Sequence, residues 1–177
     1  VGLTWLSSRR RQRSTGCCAP ADPRHDLRMR AAAKGAAIVA RGEGIHMGTD
    51  ELYVCSTSGG NRRLGQIFKL IPGRGRRPDM VELFFESESE DQFNFGDNLT
   101  VAPNGHLIVC EDQYTDVVDN HLRGITPDGR AYAFGRLTMQ TELAGGCFSP
   151  DGKWFFVNAY SPTRTVAITG PWDRFVA

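Results

Sequence analysis

The stretch FGDNLTVAPNGHLIVCEDQY, residues 95–114, decides the fold. It places the turn Pro103-Asn104-Gly105 between two short apolar runs, and the same arrangement returns in RGITPDGRAYAF (123–134) and GCFSPDGKWFFVN (146–158). Proline presets φ at the first corner of such a turn, and glycine accepts the positive φ required at the last one. Each of the three stretches is therefore predicted to form a β-hairpin.

The spacing of these hairpins predicts how they assemble. They recur about every 24 residues, and two consecutive hairpins make a four-stranded sheet of about 45–50 residues, the size of a propeller blade. Blades are expected to start near Arg41, Phe93 and Thr141, the third without its last strand. The predicted fold class is all-β, a partial β-propeller of about three four-stranded blades that does not close. A propeller closes with about 4–8 blades, so three blades leave strand edges unpaired. Unpaired edges favour aggregation, and we therefore expect the chain to be a piece of a larger propeller.

Composition narrows the function classes. The 177 residues carry a net charge of +1, too little to recruit nucleic acid or an acidic membrane by charge alone. No apolar run reaches the roughly 18 residues that a membrane-spanning helix needs. Arg9-Arg10 is not followed by an apolar segment, so the chain shows no export signal.

The chain is predicted to have two parts. Residues 1–36 form an irregular, basic N-terminal segment that we expect to be poorly ordered, with a short helical turn over 31–37; a nucleic-acid-binding arm is the less favoured interpretation. Residues 37–177 form the partial propeller. The five cysteines include no CxxC pair, which excludes a zinc ribbon. Cys55, Cys110 and Cys147 lie in apolar strand patterns and are predicted to be buried.

Carboxylates recur where each blade begins. Glu43, Asp97 and Glu142 each precede an apolar strand beside one or more glycines, so we expect equivalent blade positions that converge on the channel mouth. The loop after 107–110 adds Glu111, Asp112, Asp116 and Asp119. Converging carboxylates repel one another unless a cation lies between them or some of them are protonated, and oxygen-rich clusters suit calcium. Arg41 projects to the side of Glu43 and could bind phosphate. The alternative is that these acids are solvated or cap turns.

The stretches RGEGIHMGTDELYVCSTSGG, DNLTVAPNGHLIVCED and ELAGGCFSPDGKWFFVNAYSP occur in an order that resembles the carboxy-terminal half of PhoX-type alkaline phosphatases, over residues 37–173. The resemblance implies a bacterial, exported, monomeric β-propeller that hydrolyses phosphate monoesters with Ca²⁺ and Fe³⁺, and hence a periplasmic or secreted location. It assigns catalysis to Arg41 and Glu43, with Arg41 on phosphate. The implied metal ligands are Glu43, Asp97, Asn98, Glu111, Asp112 and Glu142.

One departure from the family pattern concerns iron. LTWLSSRRR, residues 3–11, begins like the family's iron-binding stretch, but Ser8-Arg9-Arg10 stand where the resemblance implies Cys-Glu-Glu. This departure speaks against iron binding and against catalysis by this chain alone. Two hypotheses follow: a metal-dependent phosphomonoesterase or a fragment of one, or a non-catalytic β-propeller that serves as a binding or structural module.

Overall fold

The computed structural model describes residues 27–112 and 120–172 of the chain. The predicted disorder of the first residues, the Ser8-Arg9-Arg10 stretch, Asp116 and Asp119 lie outside these residues. A single short helix, α1, precedes eleven strands in the described part. Their bounds are α1 Leu27–Ala33, β1 Gly42–Met47, β2 Leu52–Ser56, β3 Gln66–Ile71, β4 Met80–Glu86, β5 Gly96–Val101, β6 Leu107–Glu111, β7 His121–Ile125, β8 Ala131–Arg136, β9 Leu143–Phe148, β10 Trp154–Ala159 and β11 Arg164–Thr169.

The strands form three antiparallel sheets, which we call blades one to three. Blade one has the order β1-β2-β3-β4, blade two β5-β6-β7-β8, and blade three β9-β10-β11. The predicted strands and their grouping are thus confirmed, and blade three has three strands within the described residues. The helical turn lies earlier than predicted, because Gly35, with φ of +86°, provides the left-handed residue that ends a helix.

All three predicted turns are present. The amide of each glycine donates to the carbonyl three residues earlier, from Gly105 to Ala102, Gly129 to Thr126 and Gly152 to Ser149. The φ values of these glycines are +83°, +85° and +70°, a region that a residue with a Cβ rarely enters. The turns therefore join the strands at one end of blades two and three.

The core lies between the blades. Strand β6 is buried along its whole length because both of its faces are covered. Leu107 and Val109 pack in the cluster towards blade one, whereas Ile108 and Cys110 pack in the cluster towards blade three, as the alternation of side chains along a strand requires. Blade two is therefore the middle of the stack.

The outer faces are less covered. On strand β1 the side chain of Ile45 is 60% exposed. Cys55 and Cys110 are buried as predicted, but the prediction for Cys147 is wrong, since its side chain is exposed. It lies in β9, whose Gly145 and Cys147 side faces away from the packed interior, and among the described residues no further sheet covers it.

Candidate phosphate and metal site

The inner strands of the three blades begin next to one another. Strand β5 contacts both β1 and β9. A Cβ atom on Gly44 would lie 2.5 Å from the carbonyl oxygen of Asp97, so β1 can approach β5 this closely only with glycine at that position. On the other side, the amide of Gly145 donates to Oδ1 of Asn98 over 3.1 Å. We call this end of the sheets the mouth; its charged residues are Arg41, Glu43, Asp97, Asp112 and Glu142.

The hydrogen bonds that close the inner hairpins define equivalent positions. The carbonyls of Arg41, Phe95 and Glu142 accept from the amides of Thr57, Asp112 and Tyr160, at 3.0, 2.9 and 3.0 Å. Glu43 and Asp97 each lie two residues after their acceptor, and that position in blade three is Ala144. The prediction that Glu142 occupies the same blade position is therefore wrong by two residues.

Charged groups converge on Asp97. Burial raises the pKa of this carboxyl to about 6, and the negative charges of Glu43, Asp112 and Glu142 contribute to this rise, whereas Arg41 lowers it. Carboxylates influence one another in this way only when they lie close together. Four predicted ligands and the predicted phosphate-binding arginine thus share one electrostatic environment, although they come from three blades.

The backbone of Arg41 presents its guanidinium at the mouth. Its φ is +48°, uncommon for a residue with a side chain. Nη2 donates to Oδ2 of Asp112 over 3.3 Å, and the side chain of Arg41 is 46% exposed whereas that of Asp112 is 13% exposed. Asp112 therefore holds one terminal nitrogen of the Arg41 guanidinium, and the rest of the side chain is open to solvent.

Asp112 has one oxygen left over. Oδ1 is buried and has no hydrogen-bond partner within the described part of the chain. A buried carboxylate oxygen without a donor is unfavourable, and a calcium ion would satisfy it. The carboxylates around Asp97 fit a hard cation in the same way, because it would offset their mutual repulsion.

Glu111, also predicted as a ligand, points elsewhere. Its side chain is 0% exposed, and Oε1 accepts from the guanidinium Nε of Arg123 over 2.7 Å and from the amide of Asn94 over 2.9 Å. Oε2 accepts from the amide of His121 over 3.0 Å. Both oxygens therefore have protein donors. Sequence analysis missed Arg123, although a charge within the buried strand β7 signals a buried partner.

Two thiols lie close to the acids. Burial and the charge of Asp97 raise the pKa of Cys110 to about 12, and the same causes raise the pKa of Cys55 well above its usual value. Both thiols are therefore protonated near neutral pH, and neither resembles a thiolate ligand.

The described side chains of the mouth do not form a closed coordination sphere. Within residues 27–112 and 120–172, no three His, Cys, Asp or Glu side chains lie close enough together to hold one metal ion. The acids are near enough for their charges to interact, and Asp112 has an oxygen to offer, so the donor set fits a cation in chemistry. The individual ligand assignments for Glu43, Asp97, Asn98, Glu111, Asp112 and Glu142 stay predictions.

The fold and this mouth define a class of protein, a β-propeller segment with an acidic mouth that also carries an arginine. The model of the family "Alkaline phosphatase PhoX" matches residues 2–163. The chain belongs to this family, as its motifs predicted.

A solved structure has the same fold. It is described as Pseudomonas fluorescens PhoX in complex with vanadate, a transition state analogue, and it matches with a TM-score of 0.61 at 19% sequence identity. The match covers 78% of this chain and 35% of that chain. The predicted partial β-propeller is thereby confirmed. The sequence has no significant match among curated proteins, and the described residues contain no helix long and apolar enough to cross a membrane.

Proposed function

We propose that this chain carries part of the phosphate-ester-hydrolysing site of a PhoX-type phosphatase, at the mouth defined above. The observation that carries the proposal is the environment of Asp97, where three further carboxylates and one guanidinium act on a single carboxyl group. A cluster with this excess of negative charge would repel a phosphate dianion unless cations bound first. Family membership supplies the reaction class.

The residues of the mouth would divide the work. Glu43, Asp97, Asn98, Asp112 and Glu142 would hold the cations, with Ca²⁺ the ion that best suits their oxygens. When bound, such cations would offset the charge of the phosphoryl group and polarise its oxygens. Glu111 is left out of this set because its oxygens already accept from Arg123, Asn94 and His121. We do not assign Fe³⁺ to the described residues.

Arg41 would bind the ester. A guanidinium matches two phosphoryl oxygens with parallel hydrogen bonds, which a lysine cannot reproduce. Asp112 holds Nη2 of Arg41 over 3.3 Å, so the fork is oriented before the substrate arrives, and less side-chain freedom is lost on binding. Glu43, two residues further on, would place a cation beside the same phosphoryl group.

The proposal also covers the location of the protein and how much of the active site this chain supplies. We propose a periplasmic or secreted protein that acts on phosphate monoesters, with no nucleic-acid partner. Because the match covers 35% of the solved chain and three blades leave open edges, we expect that the 177-residue chain alone binds calcium and phosphate but does not turn over p-nitrophenyl phosphate.

The test is binding of inorganic phosphate at about pH 8, where Asp97 is ionised, measured by calorimetry with calcium present or chelated. We expect affinity only with calcium, and a loss of at least about tenfold in Arg41→Lys. Arg74→Lys is the matched control, since Arg74 pairs with Asp50 in an exposed ion pair away from the mouth. Glu43→Gln should weaken calcium binding, whereas Glu88→Gln, an exposed acid outside the cluster, should not.

Several results would count against the proposal. Phosphate affinity that is the same with and without calcium would remove the role of the carboxylates. Equal losses in Arg41→Lys and Arg74→Lys would show non-specific charge attraction. A chain that binds neither ion would favour the alternative of a non-catalytic binding or structural propeller.

A further inference from the structure

A buried ion pair lies behind the mouth, in blade two. Glu111 closes strand β6 and Arg123 lies in the neighbouring strand β7. Their side chains are 0% and 7% exposed, and Arg123 Nε lies 2.7 Å from Glu111 Oε1. Burying two charges is costly unless their other hydrogen-bonding groups are also satisfied, so the remaining contacts of this pair are informative.

Those contacts reach backbone groups on both sides of the pair. Glu111 accepts from the amides of Asn94 over 2.9 Å and His121 over 3.0 Å. Arg123 Nη1 donates to the carbonyl oxygen of Asp91 over 2.8 Å. One ion pair thus ties together three stretches of chain: the segment 91–94 before β5, the end of β6, and the first residue of β7.

Two of these stretches lead directly to the mouth. Asn94 precedes Asp97 by three residues, and Phe95 between them has a positive φ of 54°. Asp112 follows Glu111, and its amide donates to the carbonyl of Phe95. A displacement of the Asn94 amide or of the β6 end would therefore move Asp97 and Asp112, which come from opposite sides of the same hairpin.

We propose that Glu111, bonded to Arg123, is a positioning residue that fixes Asp97 and Asp112 for cation binding and is not itself a ligand. This inference rests on the proposed function of the mouth. A carboxylate with an oxygen that already accepts from a guanidinium and an amide has little capacity left for a cation. Replacing a residue that holds metal ligands in place without touching the metal commonly changes the metal affinity about 10–100-fold.

The test compares Glu111→Gln with two matched variants in the whole chain. Asp97→Asn removes a proposed ligand, and Ile125→Ala removes core volume from a fully buried position at the end of strand β7, two residues after Arg123. Three quantities are measured: calcium affinity by calorimetry, the midpoint of thermal unfolding with calcium chelated, and the hydrogen-exchange rates of the Asn94 and His121 amides.

We expect a different pattern for each variant. Glu111→Gln should lower the midpoint of thermal unfolding by about 10 °C and speed hydrogen exchange at both amides. At temperatures where the variant is still folded, it should bind calcium at least about tenfold more weakly. Ile125→Ala should lower the midpoint comparably without changing calcium affinity in the folded protein. Asp97→Asn should weaken calcium binding without lowering the midpoint or speeding exchange. If Glu111→Gln does not fold, Arg123→Lys, which keeps the charge, should show the same pattern to a smaller extent.

Two results would overturn the positioning role. If Glu111→Gln matches Asp97→Asn, with slow exchange and weak calcium binding, Glu111 is a ligand. If it matches Ile125→Ala, with low stability and unchanged calcium affinity, the ion pair only stabilises the fold. Failure of the proposed function looks different: the wild-type protein then binds no calcium, and the exchange rates still show whether Glu111 anchors the two segments.

Discussion

Replacing Asp97 by asparagine should stabilise the protein when no cation is present. The folded protein holds the pKa of this carboxyl at about 6, against an ordinary value of 3.8. The folded state therefore binds the proton more tightly than the unfolded state between about pH 4 and pH 6, and stability falls as the pH rises through this window. Above this window the wild-type protein bears the full cost of ionising Asp97 among other acids, whereas the variant has no ionisable group at this position.

The magnitude follows from the pKa of Asp97, which in the folded protein lies about two units above its ordinary value. This difference corresponds to about 3 kcal/mol at roughly 1.4 kcal/mol per pKa unit. Asp97 is partly open to solvent, and screening reduces such energies, so we expect about 1–2 kcal/mol. At about pH 4 the carboxyl is largely protonated in the folded state, and Asp97→Asn should match the wild type within a few tenths of a kcal/mol.

The assay is urea unfolding with a chelator at about pH 4, 6 and 8, which spans the window, with Asp151→Asn as control. Asp151 lies in the Pro150-Asp151-Gly152 turn, where its hydrogen bond from Ser149 lowers the pKa, so its replacement should not stabilise the protein above the window. A stabilisation by Asp97→Asn that is equal at the lowest and the highest pH would refute the electrostatic reasoning. So would the absence of any stabilisation at the highest pH.

Three further predictions concern packing and pH. Gly44→Ala should destabilise the protein by about 1–3 kcal/mol in urea unfolding, because its Cβ would meet the backbone of Asp97, whereas Gly42→Ala in the same strand meets only Val39, with Cγ1 at 3.4 Å, and should be tolerated. Asn98→Ala should cost about 1 kcal/mol in urea unfolding by removing the acceptor of the Gly145 amide. Burial lowers the pKa of His106, so the unfolded state takes up a proton at a higher pH than the folded state, and stability should fall as the pH drops below about 6.5. The test is thermal unfolding of the Asp97→Asn protein with and without His106→Gln. The stability should fall in this way only in the protein that keeps His106.

The strands and turns could be predicted because their signals are local. A Pro-x-Gly turn fixes φ over four residues, and alternation of apolar side chains identifies a strand without knowledge of its partner. For the same reason the spacing of the turns was enough to predict sheets of four strands. The prediction for Cys147 failed since burial depends on what covers the outer face of β9, which no local pattern contains.

The acids of the mouth required information at longer range. Glu111 and Asp112 are adjacent and chemically similar, yet one pairs with Arg123 across a strand pair and the other with Arg41, 71 residues away in sequence. Which of the two faces the mouth depends on the register of β6 against β7. The offset of Glu142 has the same origin, because a carboxylate beside a glycine does not reveal which residue accepts the hydrogen bond that closes the hairpin.

The two ends of the sheets differ in how well they satisfy local structural preferences. At the turn end, Gly105, Gly129 and Gly152 take the positive φ values that the turns require. At the mouth, positive φ falls not only on Gly145 but also on Arg41 and Phe95, which carry side chains, and like charges crowd Asp97. The register of β1 and β5 shifts directly after these two residues, so their backbone conformation accompanies β-bulges, whereas the crowding of like charges meets no requirement of the fold. Such features persist where binding or catalysis requires them, and the buried pair of Glu111 and Arg123 is placed where it can hold them in position.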